Sequence, residues 1–201
     1  MEITVDMVKS LREITGAGMM ECKKALQEAN GDAEQAKKIL RAHGAKVAEK
    51  RAGREAKQGV VEAYIHAGGR IGAMVEINCE TDFVARTDEF KQLARDIAMQ
   101  IAAMSPFVIS REEISSQMVE KEKDNFRAEA KGEGKPDSVI ENIAEGRLEK
   151  YFQEVVLLEQ AFIKDPQRMV KDLMMEMTAK TGENVSIRRF QRFELGVDGA
   201  K

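Results

Sequence analysis

Three carboxylates fall close together in Glu76-Ile77-Asn78-Cys79-Glu80-Thr81-Asp82-Phe83-Val84-Ala85-Arg86. Neighbouring carboxylates can act as general acid and base or hold a cation. Glu76, Glu80 and Asp82, however, have no His, Cys or Ser nucleophile arrangement beside them and no metal-ligand spacing. An enzyme reading has little support, and neither a metal nor a cofactor is expected. Thr15-Gly16-Ala17-Gly18 has the composition of a phosphate loop, but Glu21 stands where the third glycine belongs and no strand precedes it. Its glycines are read as a tight turn. Cys22 and Cys79 lie far apart without a disulfide framework, so both are read as reduced and buried. What remains is recognition chemistry, carried by an acid and an aromatic, Asp82 and Phe83.

The elements around that pair predict where it sits. Ile71, Ala73, Val75 and Ile77 alternate as in a strand and stop at Asn78. Phe83, Val84, Phe90, Leu93, Ala94, Ile97 and Ile101 then follow a helical period. Thr81-Asp82-Phe83 therefore occupies a strand-to-helix corner, with Thr81 as N-cap and Asp82 in the first turn, where the helix dipole favours negative charge. Phe83 either folds back as a staple on its own core or points outward as an anchor for a partner. The rule that large apolar groups are buried favours the staple.

Upstream, residues 4–42 read as three short helices. Val5, Val8, Leu11 and Ile14 form the first stripe, with Thr4 as N-cap. Cys22, Ala25, Leu26 and Ala29, with Met20 assigned to the core by default, form the second. Ala33, Ala36, Ile39 and Leu40 form the third, which Asp32 and Gln35 open in capping-box fashion. Met19 and Met20 are adjacent and cannot face the same way, so at least one is expected to be exposed. The basic stretch 44–57 reads as a partly helical linker.

Downstream, Val60–His66 and Arg70–Ile77 flank Ala67-Gly68-Gly69 as a hairpin. A third strand is expected over Asn184–Leu195, where Phe190 breaks the parity of Val185, Ile187, Phe193 and Leu195. A bulge or packing on both faces would explain the break, and two-sided packing is the expectation. Between these strands lie a helix over 89–104, a charged helical arm around 111–131 and a helix opened by Pro136, with Gly146 its weak point. A last helix is expected from Asp165-Pro166 to Thr181-Gly182. The fold class is α+β: a three-helix domain over 1–43, a linker over 44–57, and a core over 58–201 with a three-stranded antiparallel sheet packed with helices.

The 201 residues, 43% hydrophobic with a net charge of −3, suit a soluble protein and argue against binding nucleic acid by phosphate neutralisation. No apolar run approaches the roughly 18 residues of a membrane span. Met1-Glu2-Ile3-Thr4 lacks signal-peptide character, so the chain is expected to be cytoplasmic, without a membrane partner.

Four segments resemble the elongation factor Ts family in its expected order. They are Leu11–Leu26, Tyr64–Gly72, Glu76–Arg86 with its Thr-Asp-Phe-Val-Ala-Arg, and Glu183–Phe190, which together span nearly the whole chain. The resemblance implies that the first domain is like a ubiquitin-associated domain. It implies a guanine nucleotide exchange factor that promotes GDP release from the translational GTPase elongation factor Tu, with Phe83 as wedge and Asp82 as its polar partner. Thr81 and Val84 belong to the same contact. Arg12, Met19 and Met20 would meet the GTP-binding domain, and His66 and Gly182 are further partner-contact positions. Longer members carry two related sheet subdomains and this chain has one. A homodimer is therefore expected, in which Phe83 of one protomer cooperates with His66 of the other and Phe190 helps form the interface. The competing reading is a non-enzymatic interaction module that binds partners through the three-helix domain alone.

Overall fold

In the computed structural model, residues 3–197 are described. Met1 and Glu2, the first half of the Met1–Thr4 stretch read for signal-peptide character, and the last four residues of the expected core lie outside them. Local capping accounts for the first helices. Thr4 Oγ accepts from the Met7 N–H and opens α1 (Val5–Thr15), and Asp32 accepts from the N–H groups of Glu34 and Gln35 at the start of α3 (Ala33–Arg51). Between them, at α2 (Met19–Glu28), Glu21 reaches back to the Gly18 N–H at 3.4 Å. The residue that disqualifies a phosphate loop thus helps to start a helix. Val8, Leu11, Cys22, Ala25, Leu26, Ala29 and Ala36 close a small apolar core.

α3 runs eleven residues past Leu40, the last apolar position read for it. Its second half has weak apolar periodicity but packs through Gly44, where an added Cβ would lie 3.6 Å from the Ala179 Cβ. Met20 is a correction: it is 65% exposed, and the core of its helix is filled by Cys22, Ala25 and Leu26.

Strands β1 (Gln58–Ile65), β2 (Ile71–Cys79) and β5 (Ser186–Glu194) form the three-stranded antiparallel sheet, in the order β1-β2-β5. Ala73, Val75, Ile77 and Cys79 are buried, as the alternation requires. The helical run after β2 is split. α4 (Asp82–Ala85) ends with Arg86 as its C-cap, and the next residue, Thr87, accepts from the Phe90 N–H through its hydroxyl and starts α5 (Asp88–Met104).

Packing of β5 on both faces is not observed. Phe193 and Leu195 are 65% and 64% exposed. The consecutive Arg188 and Arg189 are both exposed, and both reach the carboxylate of Glu76, at 3.7 and 2.7 Å.

The arm is a helical hairpin of α6 (Ser116–Gly132) and α7 (Asp137–Val155), the latter continuous through Gly146. Its base is a cluster of Val108, Ile114, Leu148, Phe152 and Val156. Asp165-Pro166 does not start the last helix. Asp165–Met169 is β4, paired antiparallel with β3 (Ala161–Phe162), and α8 begins at Val170 and ends at Thr181. The buried Gln100 overrides the local start signal, since it donates to the Ala161 carbonyl and accepts from the Ile163 N–H.

The chain divides into two compact units, Met1–Ala63 with Met74–Asp96 and Lys171–Phe190, and Tyr64–Ala73 with Ile97–Val170 and Gln191–Lys201.

Candidate functional site

Thr81 has extended backbone, and its hydroxyl accepts from the Val84 N–H at 3.4 Å, which makes it the N-cap of α4. The corner is thus where the sequence pattern puts it. Phe83 settles the choice left open by pattern alone: its side chain is 78% exposed and does not staple the helix to its core. Asp82 is half-buried and paired with Arg86 at 2.7 Å, one turn along. Val84 is half-buried, and Ala85 behind it is buried.

A four-residue helix has too few internal hydrogen bonds to hold its own direction. The corner is held instead from a distant part of the chain. The carboxylate of Glu183 accepts from the N–H groups of Glu80 and Thr81, at 3.1 and 3.0 Å, and from the Thr81 hydroxyl at 2.6 Å. Glu80 answers by accepting from the Asn184 N–H at 2.7 Å. That bond, with the Arg54 and Arg51 guanidinium groups, holds the Glu80 carboxyl below its ordinary range. Asn184 in turn donates to the Arg54 carbonyl at 2.8 Å. Under the corner, the buried Cys79 thiol donates to the Thr81 carbonyl, and burial pushes its pKa up to about 11, so it stays a thiol. In the sequence Glu183 stands out only as part of the Glu183–Phe190 segment. A partner 102 positions away leaves no periodic signal, although a carboxylate directly after a helix-ending glycine was a clue.

The remaining predicted residues occupy other places. Arg12, Met19 and Met20 are exposed on α1 and α2, in the same compact unit as the corner. Gly182 has φ +69°, donates to the Thr178 carbonyl, and by that left-handed turn leads the chain off α8 into Glu183. His66 is exposed at the end of the hairpin, 3.2 Å from the Tyr64 hydroxyl, and belongs to the other unit with Ile65, Phe193 and Leu195. Among the described residues, no group of three or more His, Cys, Asp or Glu side chains could hold a metal ion, and no helix is long and apolar enough to cross a membrane.

Residues 5–197 match the family described as elongation factor TS. The chain belongs to that family. It is 64% identical over 199 residues to the elongation factor Ts of Carboxydothermus hydrogenoformans, covering 99% of this chain and 92% of that one. It is 55% identical over 196 residues to that of Thermotoga petrophila, covering 98% of each. Against that of Caldanaerobacter subterraneus the identity is 59% over 194 residues, covering 96% and 97%. As a member of that family it is a translation elongation factor. The exposed Thr81–Val84 corner thus lies inside the matched region, together with the two exposed methionines of α2.

Proposed function

We propose that this protein accelerates release of GDP from elongation factor Tu in the cytoplasm, with no covalent chemistry, cofactor, nucleic acid or membrane involved. The observation that carries the reading is Phe83, a large aromatic held 78% exposed on a corner whose backbone is anchored by Glu183. An exposed ring on a fixed support can enter a partner at low ordering cost. Exchange then follows from linkage: the factor binds tightest to the empty GTPase, and whatever affinity it removes from the nucleotide, the nucleotide removes from it.

Burying one aromatic is worth about 1.5–3 kcal/mol, and each tenfold in affinity takes about 1.4 kcal/mol, so Phe83 alone accounts for roughly one to two orders of magnitude. A larger effect needs a second contact. Arg12, Met19 and Met20 supply it, the methionines being flexible enough to fit an irregular apolar surface. The functional division follows: a three-helix contact domain over 1–43, a basic linker over 44–57, and a core over 58–201 that carries the corner and the arm.

The active species is a homodimer. Its support is three apolar side chains exposed by more than 60%, Ile65 at the end of β1 next to His66, and Phe193 and Leu195 at and just past the end of β5. A second copy would cover these residues and bring its His66 into play, with the half-buried Phe190 at the margin. A sedimentation experiment showing a monomer with full exchange activity removes the dimer. The main test is release of a fluorescent GDP analogue from elongation factor Tu by the parent and by Phe83→Ala. An adaptor acting through the three-helix domain alone would tolerate this change, and a folded Phe83→Ala protein as active as the parent overturns the wedge.

A further inference from the structure

We infer that Glu183 is a positioning residue for the Phe83 wedge, a role that rests on the exchange-factor reading above. α4 is one turn long, and its N-cap hydroxyl serves two bonds at once. Thr81 Oγ accepts from Val84 and donates to Glu183, so the cap is fixed in direction by the carboxylate it donates to. The other Glu183 oxygen takes the N–H groups of Glu80 and Thr81, the last two peptides before the helix. All three bonds converge on the backbone that carries Phe83. None reaches the Phe83 ring, whose exposure leaves its aim to the backbone alone.

Glu183 is itself held. Gly182 turns the chain into it. Its other neighbour, Asn184, is bonded through its N–H to Glu80 and through its side-chain amide to the Arg54 carbonyl, just beyond α3. The corner, the segment after α8 and the end of α3 therefore form a closed ring of hydrogen bonds within one compact unit. A wedge on a loose turn would lose ordering free energy on entering its partner, about 0.5–1.5 kcal/mol for each immobilised side chain. The ring settles that cost during folding.

The test measures fluorescent GDP release from elongation factor Tu against factor concentration for the parent, Glu183→Ala, Glu183→Gln, Phe83→Ala and the double variant Phe83→Ala/Glu183→Ala. Glu183→Ala is expected to lower the saturating rate about tenfold, the equivalent of about 1.4 kcal/mol, with the half-saturating concentration moved less than about threefold. Glu183→Gln is expected to restore most of the rate, because its amide oxygen can accept from the two N–H groups while its NH2 donates to Thr81 Oγ. In the Phe83→Ala background the Glu183→Ala change is expected to be nearly silent, since a residue that acts through the wedge has nothing left to position. Losses that multiply in the double variant, or a Glu183→Gln protein as slow as Glu183→Ala, overturn the positioning role. Should Glu183→Ala fail to fold, Thr81→Val, which replaces the hydroxyl with a methyl group of similar size, takes its place with Thr81→Ser as rescue, under the same criteria. A parent protein that leaves GDP release unchanged overturns the exchange-factor reading itself, a result distinct from multiplicative losses in an active parent.

Discussion

Glu183 at the corner and Glu141 in the arm are both carboxylates with several bonding partners, but the partners differ in kind. Glu183 takes two backbone N–H groups and a capping hydroxyl. Glu141 takes the Arg127 guanidinium and the Lys123 ammonium. Arg147 repeats the arm's pattern with Glu129 and Glu133. Bonds to backbone fix where the chain goes, whereas bonds between long charged side chains on a helical surface can be remade at little cost. The corner is directed by polar bonds from Glu183. The arm is directed by an apolar base and by two full-length helices, and its ion pairs decorate it. Where an element is too short to specify itself, a distant polar residue must do so.

Two glycines separate the regions most sharply. Gly59 faces the strand that leads into the corner: its φ is +148°, and an added Cβ would stand 2.0 Å from the Ile77 carbonyl oxygen and 2.8 Å from the Asn78 Cα. Backbone cannot yield there as a side-chain tip could. Gly59→Ala is expected to destabilise the protein by about 3 kcal/mol or more in urea unfolding, with exchange lost alongside the fold. Gly146 lies exposed in the interior of α7 with nothing within 4 Å of an added Cβ. Gly146→Ala is expected to act in the opposite direction, stabilising the arm by up to about 1 kcal/mol through helix propensity and leaving GDP release unchanged. A destabilised Gly146→Ala protein would mean that the arm, too, is set by contacts its helices do not reveal.

The aromatics give a second contrast. Phe83→Ala is expected to slow GDP release by about 10- to 100-fold and leave the melting temperature unchanged, because the ring makes little of the fold. Phe126, half-buried in α6 and edge-on to Tyr151 with centroids 6.5 Å apart, is the reverse case. Phe126→Ala is expected to cost about 1–3 kcal/mol of stability with exchange preserved. Thermal unfolding and exchange rates measured on the same two proteins check both statements.

The same distinction governs what could be read from the sequence. Helix starts at Thr4, Asp32 and Thr81 were legible because their caps act within three residues, and β2 because its alternation is strict. Asp165-Pro166 misled because it is a sound local start signal, overruled by Gln100 some sixty residues earlier. Met20 misled because its helix is short enough for three other residues to fill the core. The parity break in β5 was visible, but not that Phe193 and Leu195 would both be left exposed. At the candidate site, the position of Phe83 was legible and its direction was not, since exposure depends on what packs behind the corner. Glu183 stood in plain view beside Gly182, but nothing local ties it to Thr81.

Acid is the mildest probe of the difference. Hydrogen bonds from Arg127 and Lys123 hold the Glu141 carboxyl down to about 2. A carboxyl depressed in the folded state stabilises it above the unfolded value near 4.5, and that contribution fades as the pH falls toward 2. The melting temperature of the arm, followed by helical circular dichroism, is therefore expected to drop between about pH 5 and pH 2. Arg127→Met removes the first of the two causes and should flatten that dependence by lowering the melting temperature at neutral pH toward its acid value, a small change for an exposed pair. Glu80 is depressed as well, but chiefly by the Asn184 N–H, which no side-chain replacement at Arg127 touches. The corner should keep its acid sensitivity in Arg127→Met, read as a loss of exchange activity at low pH that matches the parent's. An Arg127→Met protein that loses the acid response at both places would show that the arm's charges reach the corner, and the division between a backbone-anchored wedge and a self-sufficient arm would fail.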